Sequence, residues 1–261
     1  MPELVRYLVY LALLLLLWRY GLWFPRSLSG IRAKRPLLLG HRGVRELKPE
    51  NTLEAFEYAF EAGLDGAEFD VLKTLDDELI LFHDFKLNGK HIGKYTYREL
   101  LDVDPKIPKL EELFDLAKAY PERLLNLEIK SDTLKTDGIE AAVVRVIKQS
   151  GLEDRVIVSS FNPMSLVRVR LRAPHLRTGL LFSPDMSAVL RNGFLAGWLH
   201  VDALHPYETQ VDTAFMKNAT RHGLYVNTWT VNDKKRITSL YALGVSAIIG
   251  DDPAVLRHLE D

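Results

Sequence analysis

The chain has 261 residues, 47% of them hydrophobic and 26% charged, which suits one large core and excludes global disorder. It has no cysteine, which excludes disulfides, thiolate metal sites and a cysteine nucleophile. Its net charge of −1 hides a split, with six Lys or Arg against one acid in residues 1–35 and an acidic remainder. That acidic body argues against nucleic acid as a partner.

Leu4 to Phe24 is expected to form an N-terminal hydrophobic helix. Its unbroken apolar stretch, Tyr7 to Trp18, is twelve residues between Arg6 and Arg19. With both arginines snorkelling, about 21 residues give roughly 31 Å of helix, matching a hydrocarbon core of about 30 Å. Trp18, Tyr20 and Trp23 resemble an interfacial aromatic belt, and Pro25 closes the helix. A bilayer anchor is the leading expectation, with a cleaved signal peptide and a soluble packing helix as rivals. Arg26, Arg32, Lys34 and Arg35 follow the helix and only Arg6 precedes it, so the positive-inside rule puts the body on the cytoplasmic side. A helix this short also suits the interface plane. The expected division is an anchor at 1–25, a basic linker at 26–35 and one domain at 36–261.

From Pro36 onward, short apolar runs alternate with amphipathic stretches. Strands are expected at 36–41, 66–74, 124–130, 155–161, 177–182, 201–206, 224–231 and 246–251. Helices are expected at 52–62, 110–119, 138–149, 163–172, 186–195, 212–221, 233–243 and 253–259. This alternation predicts a parallel (β/α)8 TIM-type barrel, with a doubly wound open sheet as its rival. One further apolar run, at 78–83, follows the second strand after only Leu75-Asp76-Asp77. Three residues cannot hold a crossover helix, so this pair is an antiparallel β-hairpin excursion. Counting back across its turn sets His83 opposite Glu68, near Asp70.

Chemistry-bearing residues collect at the carboxyl ends of these strands. His41 and Arg42 stand where the first strand meets a loop, the usual place for function in α/β folds. Glu68 and Asp70 share one face of the second strand, although a buried parallel strand should read as almost all apolar. Two explanations compete: a solvated or salt-bridged face, or a metal site. Glu128 and Lys130 repeat the pattern on the third strand. Three carboxylates from adjacent strands make a hard-oxygen site for Ca²⁺ or Mg²⁺, whereas Lys130 can neutralise one acid without any ion. His41 and His83 end the first strand and the returning hairpin. His205 ends the run 201–206 and is a candidate for the pocket. Glu50 favours a helix N-terminus or serves the site, and Asn51 is a candidate helix cap. Trp229 is either core or a wall against substrate.

Together these pieces resemble the glycerophosphodiester phosphodiesterase family. His-Arg-Gly (41–43), Pro-Glu-Asn-Thr (49–52), Glu-Phe-Asp-Val (68–71), His-Asp (83–84), Glu-Ile-Lys (128–130) and Trp-Thr-Val-Asn (229–232) occur in the family's order, over about residues 37–252. The resemblance implies a TIM-type barrel, a divalent metal held by Glu68, Asp70 and Glu128, and a catalytic pair of His41 and His83. It implies that Arg42 and Lys130 hold the substrate phosphate and that Glu50 supports the site. Glycerophosphodiesters or lysophospholipids would then be split to sn-glycerol 3-phosphate or a lysophosphatidic acid plus an alcohol. A sphingomyelinase D or phospholipase C type activity, and a catalytically silent lipid-binding barrel, are the alternatives. The chain departs from the family after His-Asp, where it reads FKLNGKHIGKYT (85–96). The short segment before Leu110 implies a small cap and an open mouth. Phe194 and Trp198, in the stretch 187–200, are either outer barrel packing or an apolar surface for lipid.

Overall fold

The computed structural model describes residues 3–26 and 35–259. In chain order the elements are α1 (Glu3–Leu16), β1 (Leu37–His41), α2 (Leu53–Glu61), β2 (Gly66–Lys73), β3 (Leu79–Leu81), β4 (Lys86–Leu87) and β5 (Lys90–His91). There follow α3 (Tyr97–Val103), α4 (Leu110–Lys118), β6 (Leu124–Ile129), α5 (Ile139–Ser150), β7 (Val156–Ser160), α6 (Pro163–Arg172) and β8 (Arg177–Phe182). The last are α7 (Ala196–Leu199), β9 (Ala203–Pro206), α8 (Thr213–Arg221), β10 (Tyr225–Thr228), α9 (Lys234–Leu243), β11 (Ala247–Gly250) and α10 (Pro253–Leu256).

Strand order runs β1-β11-β10-β9-β8-β7-β6-β2, and β1 also pairs with β2, so the sheet closes on itself. All eight ring pairings are parallel. This is the expected TIM-type barrel. The alternation within β2 shows how it is held. Phe69 and Val71 point outward into the main core, which the helices cover, while Glu68 and Asp70 take the opposite face. A second apolar cluster, with Leu39, Leu124, Ile157 and Ile249, fills the lower barrel interior.

β3 pairs antiparallel with β2, as the three-residue turn demands. The register is one residue off the expected count. Leu81 faces Val71 and the Phe82 amide donates to the Asp70 carbonyl, so the same count sets His83 level with Phe69 rather than Glu68. A one-residue slip reverses which face a strand residue takes. His83 reaches the mouth because it lies beyond the last paired residue. The small hairpin β4–β5 and helix α3, absent from the sequence expectation, cover this excursion. Leu72, Ile80, Ile92, Tyr95, Leu100 and Ile107 form their shared cluster.

Two helical expectations fail. Residues 186–195 form turns, and only the single turn α7 follows. Gly193 has a φ of +63°, which breaks a helix. The segment instead receives the end of the N-terminal helix. Arg19 Nη1 donates to the Phe194 carbonyl and its guanidinium covers the Phe194 and Trp198 rings. Trp18 stacks on His200 at 4.2 Å.

The second failure is the 21-residue membrane span. No helix among the described residues is long and apolar enough to cross a membrane. The α-helix stops at Leu16 and a wider π turn carries the chain to Gly21. The following residues are recruited by the barrel. Trp23 Nε1 donates to the Val201 carbonyl at 2.9 Å, and Arg26 pairs with buried Asp202. The fourteen residues of α1 amount to about 21 Å, short of a full hydrocarbon core.

Candidate active site

The His-Arg-Gly turn answers a local steric demand. A Cβ on Gly40 would lie 1.8 Å from the Gly43 carbonyl oxygen, and Gly43 has a φ of +90°. The chain therefore folds tightly back over the end of β1. Arg42 itself has a φ of 49°, and its amide donates to Glu68 Oε2 at 3.1 Å. His41 and Arg42 are thus aimed over the barrel mouth by two glycines.

Register then assembles the acids. His41 lies level with Glu68 across β1–β2, and Asp70 lies level with Glu128 across β2–β6. Carboxylate oxygens of Glu68, Asp70 and Glu128 all lie within 4.8 Å of one another, and all three residues are buried. Removal from water, then repulsion from Asp70 and Glu128, pushes Glu68 well above the usual carboxylate range. Burial likewise raises Glu128 to about 7, against the pull of Lys130. Such a cluster binds a proton readily, or a hard cation in its place.

Two cations brace the cluster. Lys130 Nζ lies 3.3 Å from Glu128 and 3.5 Å from Asp70. Burial opposes its charge, but Glu128 and Asp70 outweigh burial and raise its pKa. Arg42 lies 3.2 Å from Asp70 and grips Glu50 through Nη1 at 2.9 and 3.0 Å. Glu50 does not line the main cavity. It steadies Arg42 from a neighbouring hollow of about 300 Å³.

The two histidines stand apart in their support. His41 Nδ1 lies 2.6 Å from Asp251 Oδ1, and Asn232 bonds the same carboxylate. Burial works against the Asp251 charge, but the bond from His41 prevails and holds its pKa below the usual value. An ionised Asp251 puts the proton on Nδ1 and turns Nε2 toward Glu68, 3.9 Å away. His83 Nδ1 meets Asp84 at 2.7 Å. Desolvation lowers the His83 pKa, which favours the neutral ring.

A cavity of about 630 Å³ joins these groups. His41, Arg42, Glu68, Asp70, His83, Glu128 and Lys130 all line it, and so does Trp229. His205 does not. It is fully buried behind the wall, where desolvation lowers its pKa to about 3. Its ring packs on Gly179, where a Cβ would come within 2.3 Å. The pocket role expected for His205 is therefore replaced by a structural one.

Several residues of the site escaped the sequence reading. Asp251 follows β11 and could have been found by the signal that marked Glu68 and Glu128, an acid ending an apolar strand. Asn51 is not the helix cap; Thr52 is, accepting from the Ala55 amide. Asn51 has a φ of 55° and donates to Asp70 Oδ2 at 3.0 Å while accepting from the Asp70 amide. Phe161, Tyr207 and Asp185 line the cavity from loops after separate strands, and no local pattern marks them.

Known proteins resemble this chain. Residues 41–255 match the glycerophosphoryl diester phosphodiesterase family. The chain belongs to that family. It is a phosphoric diester hydrolase. It is similar to a glycerophosphodiester phosphodiesterase of Caldanaerobacter subterraneus, 34% identical over 86% of this chain and 98% of that one. A Bacillus altitudinis glycerophosphodiester phosphodiesterase is 31% identical over 83% of this chain and 94% of its own. Among solved structures, an Oleispira antarctica phosphodiesterase in complex with its product sn-glycerol-3-phosphate superposes with a TM-score of 0.76. It is 27% identical and covers 87% of this chain and 98% of its own.

Proposed function

We propose that this family member hydrolyses glycerophosphodiesters in the 630 Å³ cavity, releasing sn-glycerol 3-phosphate and an alcohol. The observation that carries this reading is the meeting of three buried carboxylates with His41, His83 and Arg42 on one cavity wall. The Oleispira antarctica structure, with sn-glycerol-3-phosphate as product, supports the identity of the product.

The three carboxylates fit a divalent cation. All their donors are hard oxygens, and two of them are pushed toward protonation by burial and mutual repulsion. Ca²⁺ and Mg²⁺ are the ions of this donor chemistry. When bound, such an ion withdraws charge from the phosphoryl group as a Lewis acid. Arg42 and Lys130 add positive charge along the same wall, offsetting the anionic charge that makes a diester resist attack. His83, whose neutral form desolvation favours, takes the proton of the attacking oxygen. His41, held by Asp251 at Nδ1, delivers a proton from Nε2 to the leaving alkoxide when both ring nitrogens are protonated, and returns to the Nδ1–H form.

The N-terminal helix favours a second substrate class. Every described residue of α1 is exposed, and its apolar side chains cover all its faces. A helix apolar all round belongs in lipid or in a core. Its length suits insertion into one leaflet rather than crossing. Arg32 and Lys34 follow it, as expected at a cytoplasmic membrane face. A membrane-bound enzyme suits lysophospholipids, which would give a lysophosphatidic acid.

Product analysis tests both readings. Purified protein is incubated with glycerophosphocholine and with lysophosphatidylcholine, each with Ca²⁺, Mg²⁺ or EDTA. Glycerol 3-phosphate that disappears with EDTA supports the first reading, and lysophosphatidic acid supports the second. Equal turnover in EDTA removes the metal. No product from either diester removes the proposed activity.

A further inference from the structure

The wall of the cavity opposite the carboxylates has no part in the proton transfers. It is built of rings. Trp229 forms its back. Phe161 stands at 90° to the indole with ring centroids 5.4 Å apart, and Tyr207 at 79° with centroids also 5.4 Å apart. All three line the cavity. At the rim the exposed carboxylate of Asp185 also lines it, held by the hydroxyl of buried Ser183.

The box is preformed. Trp229 Nε1 donates to the His205 carbonyl at 2.9 Å, which pins the indole. Tyr207 and Trp229 form a parallel bridge, and the Glu208 amide donates to the Trp229 carbonyl at 2.9 Å. Rings fixed before binding lose little entropy when a ligand arrives.

We propose that Phe161, Tyr207, Trp229 and Asp185 form a subsite for a quaternary ammonium head group, which makes choline diesters the preferred substrates. This rests on the phosphodiesterase reading above and narrows it. Aromatic faces attract cations, most of all cations that are cheap to desolvate. A trimethylammonium group has no hydrogen to donate and spreads its charge over its methyls. A primary ammonium needs several acceptors, and the box offers one carboxylate. An acyl chain would gain from the rings but would leave Asp185 without use at the rim. A polyol would find few partners among Phe161, Leu181 and Ile249.

The test compares kcat/KM for glycerophosphocholine, glycerophosphoethanolamine and glycerophosphoglycerol in the full chain and in Phe161→Leu, Tyr207→Leu and Asp185→Asn variants. The expected result is a choline preference in the wild type. Each variant should lose about tenfold on the choline diester, with the glycerol diester changed by less than about twofold. No choline preference, or equal losses on all three substrates, overturns the subsite and leaves the phosphodiesterase reading standing. A second measurement needs no turnover: saturation-transfer NMR with choline and with its neutral isostere 3,3-dimethyl-1-butanol. Transfer to choline that weakens in Tyr207→Leu supports the box even if no diester is cleaved. Equal transfer to both probes overturns it.

Discussion

Along β1, β2 and β6 the cavity wall carries three carboxylates and His41, with Arg42 and Lys130 among them. After β7, β9 and β10 it carries Phe161, Tyr207 and Trp229. The charged wall is expensive to build, because buried like charges repel and lose hydration. The aromatic wall costs nothing of that kind and is supported by ordinary packing and backbone bonds. The difference teaches how to divide the work. Groups held at an energetic cost are those proposed to carry out the reaction, and groups held cheaply are those proposed to choose the substrate.

The strongest way to break this division is at the histidines. His41→Ala and His83→Ala should each lower kcat by about 10²- to 10⁴-fold, while far-UV circular dichroism stays unchanged. Turnover near wild type in either variant would remove that ring from the proposed mechanism.

Next comes the proton on the carboxylate cluster. Glu128 ionises at about 7 in the fold against 4.5 for the ordinary side chain. The folded chain then binds more protons than the unfolded chain between these values, so without metal its stability falls as pH rises through that window. The loss is on the order of 3 kcal/mol. Adding Mg²⁺ above pH 7 should restore it, and Glu128→Gln should flatten the slope. A melting temperature without this pH dependence in EDTA would contradict the raised pKa.

Asp251 sharpens the comparison, since it acts on the charged wall only through His41. Asp251→Asn should lower kcat by about 10- to 100-fold with KM little changed. A loss confined to KM would point instead to substrate binding.

The smallest effects should come from outside both walls. Removing residues 1–16 should leave glycerophosphodiester turnover within about twofold and abolish flotation with anionic vesicles. Removing residues 1–30 also takes away Arg26, which leaves Asp202 with Arg170 at 3.4 Å and the Thr178 amide at 2.8 Å. That should cost about 1–3 kcal/mol, read as a drop in melting temperature. An unchanged melting temperature would show that the Trp23 and Arg26 contacts contribute nothing.

Much of this molecule was legible in its residues, because strands and helices write local periods into a chain. The eight strands lie inside or within a residue or two of the apolar runs, and Arg177–Phe182 and Pro163–Arg172 match residue for residue. Glu68, Asp70 and Glu128 could be singled out because acids in apolar strands are anomalous. Tertiary structure alone decided who meets whom. Closing the ring sets His41 on Asp251, 210 residues away. It brings Phe161, Tyr207 and Trp229 from separate strands to one wall. It puts His205 in the core although its neighbours suggested the mouth. It also sets the stretch 187–200 against the end of the N-terminal helix, with turns in place of the helix expected at 186–195. Partners this distant are chosen by strand register and ring closure, which no local window of sequence contains.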